Sequence, residues 1–336
     1  MVDIIAHDIQ GDIQAAAVLH KFFKMTSLMR VVGSSVAIAK EAGNVIRKTL
    51  LSGKLDIVDK AETAKEFDPQ TEADRSAQKM IIGSLSHLYP DLLIIGEEEG
   101  CDSIEESEVV KEIDHEVIGK TCPESLKDLQ IKDLIVWVDP LDATREFTEG
   151  SVENVTVLIG ISAHGKAIAG VIHQPFYEQD VGRTFWGVVG LGAFGINTTK
   201  PEDPNRFHLI TSKSHWSDSL KETFASFKDA TVLKAGGSGY KVMQVIEGNA
   251  DVYLYPQRGT KKWDSCGPEA ILRSVGGVVT DGLGDEIDYA AVEKRFHVNW
   301  RGLVASLGKD HQKVIEQIPL KTKEALQADY DVKTKL

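Results

Sequence analysis

Apolar residues recur at helical spacing near the start of the chain. Leu28, Val31, Val32, Val36, Ala39, Ile46 and Leu50 share one face, which predicts an amphipathic helix with that stripe turned inward. After a polar loop, Ala77, Met80, Ile81, Leu85 and Leu88 predict a second helix from about Asp74. The pattern then changes to short apolar runs at 92–96, 134–138, 155–161 and 167–173, which read as strands. The last two are joined by Ala163-His-Gly-Lys166, a hairpin signal, and 183–196 reads as a further hairpin. Residues 103–119 are acidic without a period and read as a surface excursion.

Pro201-Glu-Asp-Pro204-Asn205 is the best candidate linker. Beyond it, strands at 208–212, 231–235, 251–255 and 277–280 alternate with helices at 217–227, 239–249 and 267–275. The front half therefore reads as α+β with an antiparallel sheet, the back half as α/β. This divides the chain into a weakly specified extension (1–25), an α+β unit (26–200), an α/β unit (201–320) and a tail (321–336).

Charge narrows the function classes. Among 336 residues, 38 Lys and Arg stand against 51 Asp and Glu, a net charge of −13. Such a surface lacks the basic field that nonspecific nucleic-acid or anionic-membrane binding needs. If the substrate is a phosphate, the protein must neutralise its own site locally, and metal cations are the usual means. The three cysteines form no C-x-x-C pair and suggest neither a disulfide framework nor a thiolate zinc site. No apolar run is long enough to span a membrane, and Asp3, His7, Asp8 and Asp12 are wrong for a signal peptide. The expectation is a cytoplasmic protein, and a monomer.

Acidic residues recur where apolar strands end. Gly96 leads into Glu97-Glu98-Glu99, Val138 into Asp139-Pro-Leu-Asp142-Ala-Thr144, and Trp263-Asp264 precedes the helix after a third strand. Taken singly, such acids are ordinary solvated loop residues or helix caps. The middle segment resists that reading, because Asp139-Pro140 turns the chain and Asp142 to Thr144 then lie where a helix begins. Two aspartates one turn apart can hold hard cations through oxygen, and a helix start offers amides to a phosphate. Several carboxylates in one cleft raise one another's pKa unless cations compensate, and magnesium fits.

In this order and spacing, Gly96-Glu97-Glu98, Asp139-Pro-Leu-Asp142-x-Thr144 and Trp263-Asp264 resemble the signature of the inositol monophosphatase superfamily, from about Leu28 to about Gln317. The forms Trp263-Asp-Ser-Cys-Gly-Pro-Glu269, Asn154-Val-Thr-Val-Leu-Ile-Gly160 and Lys166-Ala-Ile-Ala-Gly170 are similar to its bisphosphate nucleotidase branch. The resemblance implies a layered α/β/α/β/α sandwich of the inositol monophosphatase / fructose-1,6-bisphosphatase type, with its site in the cleft between two sheets. It implies lithium-sensitive hydrolysis of the 3'-phosphate of adenosine 3',5'-bisphosphate. The sulfated analogue and inositol 1,4-bisphosphate are further candidate substrates. Two or three Mg2+ would be held by Glu97, Asp139, Asp142, Asp264 and the Leu141 carbonyl. Asp74 would pair with Thr144 to orient and deprotonate the attacking water. Ser212, His215, Gly237 and Lys241 would meet the nucleotide. From the residues alone, Asp74 is equally an N-cap of its helix, and His215 equally a surface histidine. Lys261 and Lys262 read as a solvated basic pair or as a contact to a second phosphate.

Two departures from the family pattern matter, Ala143 and Arg145, the latter standing where the nucleotidase branch often has lysine. Ala143 stands where glycine is usual, which is harmless only if its φ is negative. Gly267 replaces a common alanine and is expected only to loosen a helix start. Gly190-x-Gly192-x-x-Gly195 matches a dinucleotide fingerprint but opens no convincing helix, so it reads as a hairpin with tight turns. Cys266 reads as a small buried residue. The rivals are an inositol polyphosphate 1-phosphatase and, from another class, a catalytically silent nucleotide- or metal-sensing protein, which Ala143 motivates.

Overall fold

The computed structural model describes residues 25–60, 68–100, 104–178, 181–197, 207–214, 216–290 and 293–334. The expected linker at 201–205, residues 1–24 of the expected extension and His215 lie outside the described residues.

The first apolar stripe forms α1 (Ser27–Ser52), opened by Thr26, whose hydroxyl accepts from the Met29 amide, and closed by Gly53 in the left-handed region at φ 68°. A short ribbon of β1 (Val58–Asp59) and β2 (Pro69–Gln70) leads to α2 (Glu72–Leu88). Thr71, not Asp74, is the N-cap of α2, and Asp74 completes a capping box from the third helical position.

Both helices lie on the outer face of a six-stranded sheet of order β3-β4-β5-β6-β7-β8. Its strands are β3 (Leu93–Gly96), β4 (Leu134–Asp142), β5 (Thr156–Ala163), β6 (Lys166–Gln174), β7 (Arg183–Val188) and β8 (Gly192–Phe194). Only β3 and β4 are parallel. Alternation along β4 and β5 assigns each residue a side. Val136, Val138, Val157, Ile159 and Ile161 join the core under α1 and α2, while Trp137 and Leu158 join cores on the opposite face. A sheet covered on both faces reads as unbroken apolar runs.

The back half forms a second sheet, β10-β9-β11-β13-β12, built from β9 (His208–Ser212), β10 (Thr231–Ala235), β11 (Val252–Tyr255), β12 (Val278–Thr280) and β13 (Leu303–Ser306). Between the sheets run α5 (Ser238–Ile246) and α6 (Lys262–Ser274), and outside the second sheet lie α4 (Asp218–Ser226), α7 (His311–Gln317) and α8 (Leu320–Thr334). The result is the expected five-layer α/β/α/β/α sandwich.

Glycines set how closely α6 approaches the first sheet. A Cβ on Gly170 would overlap the Gly267 carbonyl, and one on Gly160 would come within 2.5 Å of the Cys266 Cβ. Gly267 is itself constrained: its Cβ would stand 2.9 Å from the Ile159 carbonyl oxygen. It therefore permits close helix–sheet contact rather than loosening a helix end. Cys266 is fully buried there, and burial pushes its thiol well up.

Four further expectations are corrected. Helix α6 begins at Lys262, ahead of the expected start at residue 267, so Trp263 and Asp264 lie inside it. The excursion at 103–119 is not wholly surface: Val109, Val110 and Val117 are buried, and His115–Ile118 is a helical turn against α1. The tail expected at 321–336 is mostly helix α8, with the Tyr330 ring under the Arg301 guanidinium. Neither Lys261 nor Lys262 is a solvated cation. The Lys261 ammonium is 3.8 Å from Glu97, and Lys262 is buried beside Trp137, where burial lowers its pKa to about 8. The Gly190–Gly195 segment is the turn and second strand of the β7–β8 hairpin, with positive φ at all three glycines.

Candidate active site

Strand β4 runs through the sheet and delivers Asp139 and Asp142 to its end. The bulge between them, where pairing with β5 shifts register, turns both carboxylates into a cavity of about 810 Å³. Helix α6 brings Asp264 to the same point from the layer between the sheets. Carboxylate oxygens of Asp139, Asp142 and Asp264 lie within 4.8 Å of one another.

Each acid is anchored. The Leu141 amide donates to Asp139 Oδ1 at 3.1 Å. Asp142 accepts from the Ser238 and Gly239 amides at 2.9 and 2.8 Å and from the Thr156 hydroxyl at 3.0 Å. The opening amides of α5 are thus given to Asp142 and not left for a ligand. Asp264 accepts from the Lys261 amide at 2.6 Å, as the third residue of its helix. Gly237, at φ 63°, allows this approach: a Cβ there would stand 2.9 Å from Asp142 Oδ2.

Glu97 follows β3, whose last residue, Gly96, has no room for a side chain against Gln78. Gln78 exchanges two hydrogen bonds with the Glu98 backbone, at 2.8 and 2.9 Å, and pins this turn. The Lys60 ammonium bridges Glu97 at 3.1 Å and Glu98 at 2.8 Å. Burial works against that charge, but Glu97 and Glu98 outweigh it and hold the Lys60 pKa above its usual value.

Across the cavity, Asp74 is fully buried. One of its oxygens accepts from the Thr71 amide at 2.8 Å; the other lies 3.0 Å from the Thr144 hydroxyl. That hydroxyl is also 2.9 Å from the Leu141 carbonyl, and its single proton can serve only one of the two. Thr144 opens the short helix α3 (Thr144–Thr148). Ala143 just before it has φ 74°, so the condition under which alanine is harmless is not met and its backbone is strained.

Burial is the main cause that raises Asp74 to about 7, with Glu97 adding to it. Asp264 is pushed to about 7 by burial and by Asp142, and Asp139 is raised well above its ordinary value by burial, Glu97 and Asp142. These groups share one difficulty: ionised together, they repel in a water-poor site. They also share one chemistry, since every inward-facing donor is oxygen. That combination fits hard divalent cations of the magnesium type.

The family model described as "Inositol monophosphatase family" matches residues 28–322. The chain belongs to the inositol monophosphatase family. Among its relatives, the chain is 42% identical to 3'(2'),5'-bisphosphate nucleotidase 1 of Homo sapiens over 309 residues, covering 90% of this chain and 98% of the relative. It is 41% identical to the protein of the same name from Dictyostelium discoideum, covering 87% and 97%. In fold it is similar to the extragenic suppressor protein suhB from Bartonella henselae, with a TM-score of 0.63 and 21% identity, covering 85% and 97%.

Asp139, Leu141, Asp142, Asp264, Glu97, Thr144, Ser212, Gly237 and Lys241 all line the one cavity. Asp74 stands behind Thr144, bonded to it. Lys241 is fully buried, its ammonium donating to the Gly237 carbonyl, and burial lowers its pKa against the pull of Asp142 and Glu146. Two residues escaped the sequence reading. Lys60 sits on a short ribbon with no apolar pattern to mark it. Glu146 lines the cavity two positions after Thr144, and its even spacing from Asp142 and Thr144 was the available signal. Among the described residues no helix is long and apolar enough to cross a membrane.

Proposed function

We propose that this chain hydrolyses the 3'-phosphate of adenosine 3',5'-bisphosphate to AMP and inorganic phosphate, with magnesium as its cofactor and lithium as an inhibitor. The observation that carries the reading is the cluster of Asp139, Asp142 and Asp264 opening on the same cavity as Thr144, whose hydroxyl is bonded to Asp74. High identity to proteins named bisphosphate nucleotidases, over nearly the whole of both chains, supports the choice of substrate.

Glu97, Asp139, Asp142, Asp264 and the Leu141 carbonyl would hold two or three magnesium ions. Bound magnesium supplies charge neutralisation for the phosphate and lowers the pKa of the attacking water. The chain's own part is to place that water. With one Asp74 oxygen engaged by Thr71, the other is left for the Thr144 hydroxyl. Thr144 passes its proton to Asp74 as its oxygen takes one from the water; the water oxygen bonds to phosphorus while the P–O3' bond breaks, and the 3'-oxygen leaves with that electron pair and is protonated by solvent. The buried Lys241 adds positive potential at the cavity wall, and Ser212 and Gly237 line the same wall for the nucleotide. Phosphoryl transfer asks mainly for such positioning and charge balance.

A second reading, a catalytically silent sensor, is favoured by one observation only, the strained Ala143 beside Thr144. Phosphate release from adenosine 3',5'-bisphosphate, its sulfated analogue and inositol 1,4-bisphosphate, at equal concentration with and without magnesium, decides the matter. The proposed function gives magnesium-dependent release, fastest from the first. Faster release from inositol 1,4-bisphosphate would favour a polyphosphate 1-phosphatase, and nucleotide binding without release would favour the sensor.

A further inference from the structure

Asp68, Glu146 and Asp329 line the cavity outside the proposed magnesium ligands and the Asp74–Thr144 pair, and of the three Glu146 alone is buried. Glu146, on α3, is 4% exposed and lines the cavity. Its side chain lies so close over Gly236 that a Cβ there would overlap its carboxyl group. Among the described residues no other side chain donates to that carboxylate or pairs with it. Lys241 donates one hydrogen bond to the Gly237 carbonyl and acts on Glu146 through its charge. The backbone amide of Glu146 itself donates to its carboxylate, which leaves further lone pairs of that carboxylate open to a donor from the cavity.

The neighbouring wall says where that donor would come from. Gly236 faces Glu146, and the next residue, Gly237, faces Asp142 of the carboxylate cluster. Glu146 and Asp142 thus lie against consecutive residues of one wall, and Glu146 stands beside the cluster. On a sugar or cyclitol ring, the substituent beside a phosphate ester is the group on the adjacent carbon. An ionised carboxylate only accepts hydrogen bonds, so it selects a hydroxyl there and repels a second phosphate.

We propose that Glu146 accepts a hydrogen bond from the substrate hydroxyl vicinal to the scissile phosphate, and so restricts the enzyme to phosphate esters with a free neighbouring hydroxyl. For the nucleotide this is the ribose 2'-hydroxyl. The inference rests on the proposed nucleotidase reading and adds to it a specificity-determining residue.

The test compares adenosine 3',5'-bisphosphate with its 2'-deoxy analogue, reading kcat/KM in the wild type, Glu146→Ala and Glu146→Gln. Removing a hydrogen bond to a charged group costs roughly ten- to a hundredfold. The wild type therefore favours the hydroxyl substrate, and that ratio falls by at least about tenfold in Glu146→Ala. Glu146→Gln, which keeps a neutral acceptor, lies between. If Glu146 merely balances Lys241, both substrates slow together, the ratio is unchanged, and the proposal is overturned. Equal use of both substrates by the wild type also overturns it while leaving the phosphatase reading intact. Release from neither nucleotide ends that reading and this inference with it. Should Glu146→Ala fail to fold, an unchanged ratio in Glu146→Gln is the overturning result.

Discussion

The Thr144 hydroxyl oxygen lies 3.0 Å from a carboxylate oxygen of Asp74, a residue 70 positions earlier in the chain. Neither group reaches this place by local propensity. Asp74 is fixed by the capping box at the start of α2, and Thr144 by the turn that follows the β4 bulge. Their meeting depends on α2 packing across β4. A proton acceptor assembled in this way is rigid, which is what water positioning requires.

Alanine 143 gives the first prediction. Its left-handed backbone costs an L-residue about 1–2 kcal/mol, against about 0.4–1 kcal/mol for the extra unfolded-state freedom of glycine. Ala143→Gly should therefore stabilise the protein by roughly 0.5–1 kcal/mol and keep its turnover. Denaturant unfolding checks this, and a destabilised variant would mean that local packing around the Ala143 methyl outweighs the strain.

Histidine 173 gives a pH dependence. It is buried under α1, where a Cβ on Gly43 would overlap its ring. Burial, with Arg47 and Lys40 nearby, lowers its pKa from 6.5 to about 3. Below pH 6.5 the unfolded chain binds a proton that the folded chain refuses, so this residue's contribution to stability is lost as pH falls from 6.5 toward 3. The slope approaches about 1.4 kcal/mol per pH unit. His173→Gln lacks it. The stability advantage of the wild type over the variant should narrow by roughly 1–2 kcal/mol between pH 6.5 and pH 5. Parallel pH profiles for the two proteins would contradict it.

Lithium tests the oxygen-lined cluster. Asp139, Asp142 and Asp264 present only hard donors, among which a small monovalent cation can compete with magnesium. Turnover at fixed magnesium should fall with added lithium chloride and not with equal sodium or potassium chloride. Equal rates in all three salts would remove lithium sensitivity from the account.

Much of this was legible in the sequence. The stripes of α1 and α2, the apolar runs of β4 to β6 and the alternation after residue 207 follow directly from burial periodicity. The acids at the end of β4 were visible because Asp139 and Asp142 close an apolar run, and Asp264 because it follows Trp263 in the family-like motif. What escaped depends on three-dimensional placement. Val109, Val110 and Val117 carry no period, yet all three are buried, Val117 in the helical turn against α1. Helix α8 has a weak apolar face, Thr322 and Leu326 being its buried residues, so no stripe announced it. The need for Gly170 and Gly267 appears only when α6 is seen against β5 and β6. Lys60 is an ordinary charged residue until the fold sets it against Glu97 and Glu98, as Glu146 is until it meets the cavity.

The most direct test of the central claim is kcat for 3'-phosphate release against magnesium concentration in four proteins: Asp142→Asn, Asp74→Asn, Thr144→Ala and the Asp74→Asn/Thr144→Ala double variant. Asp142→Asn keeps its size but removes a charge from the cluster, so its magnesium requirement should rise and its turnover nearly vanish. Asp74→Asn and Thr144→Ala should keep a near-normal magnesium requirement while kcat falls by roughly two to four powers of ten. Because the two act on one proton as a unit, the double variant should be little worse than either single one. Losses that add in full would show that Asp74 and Thr144 act separately, and the account of the site would be wrong.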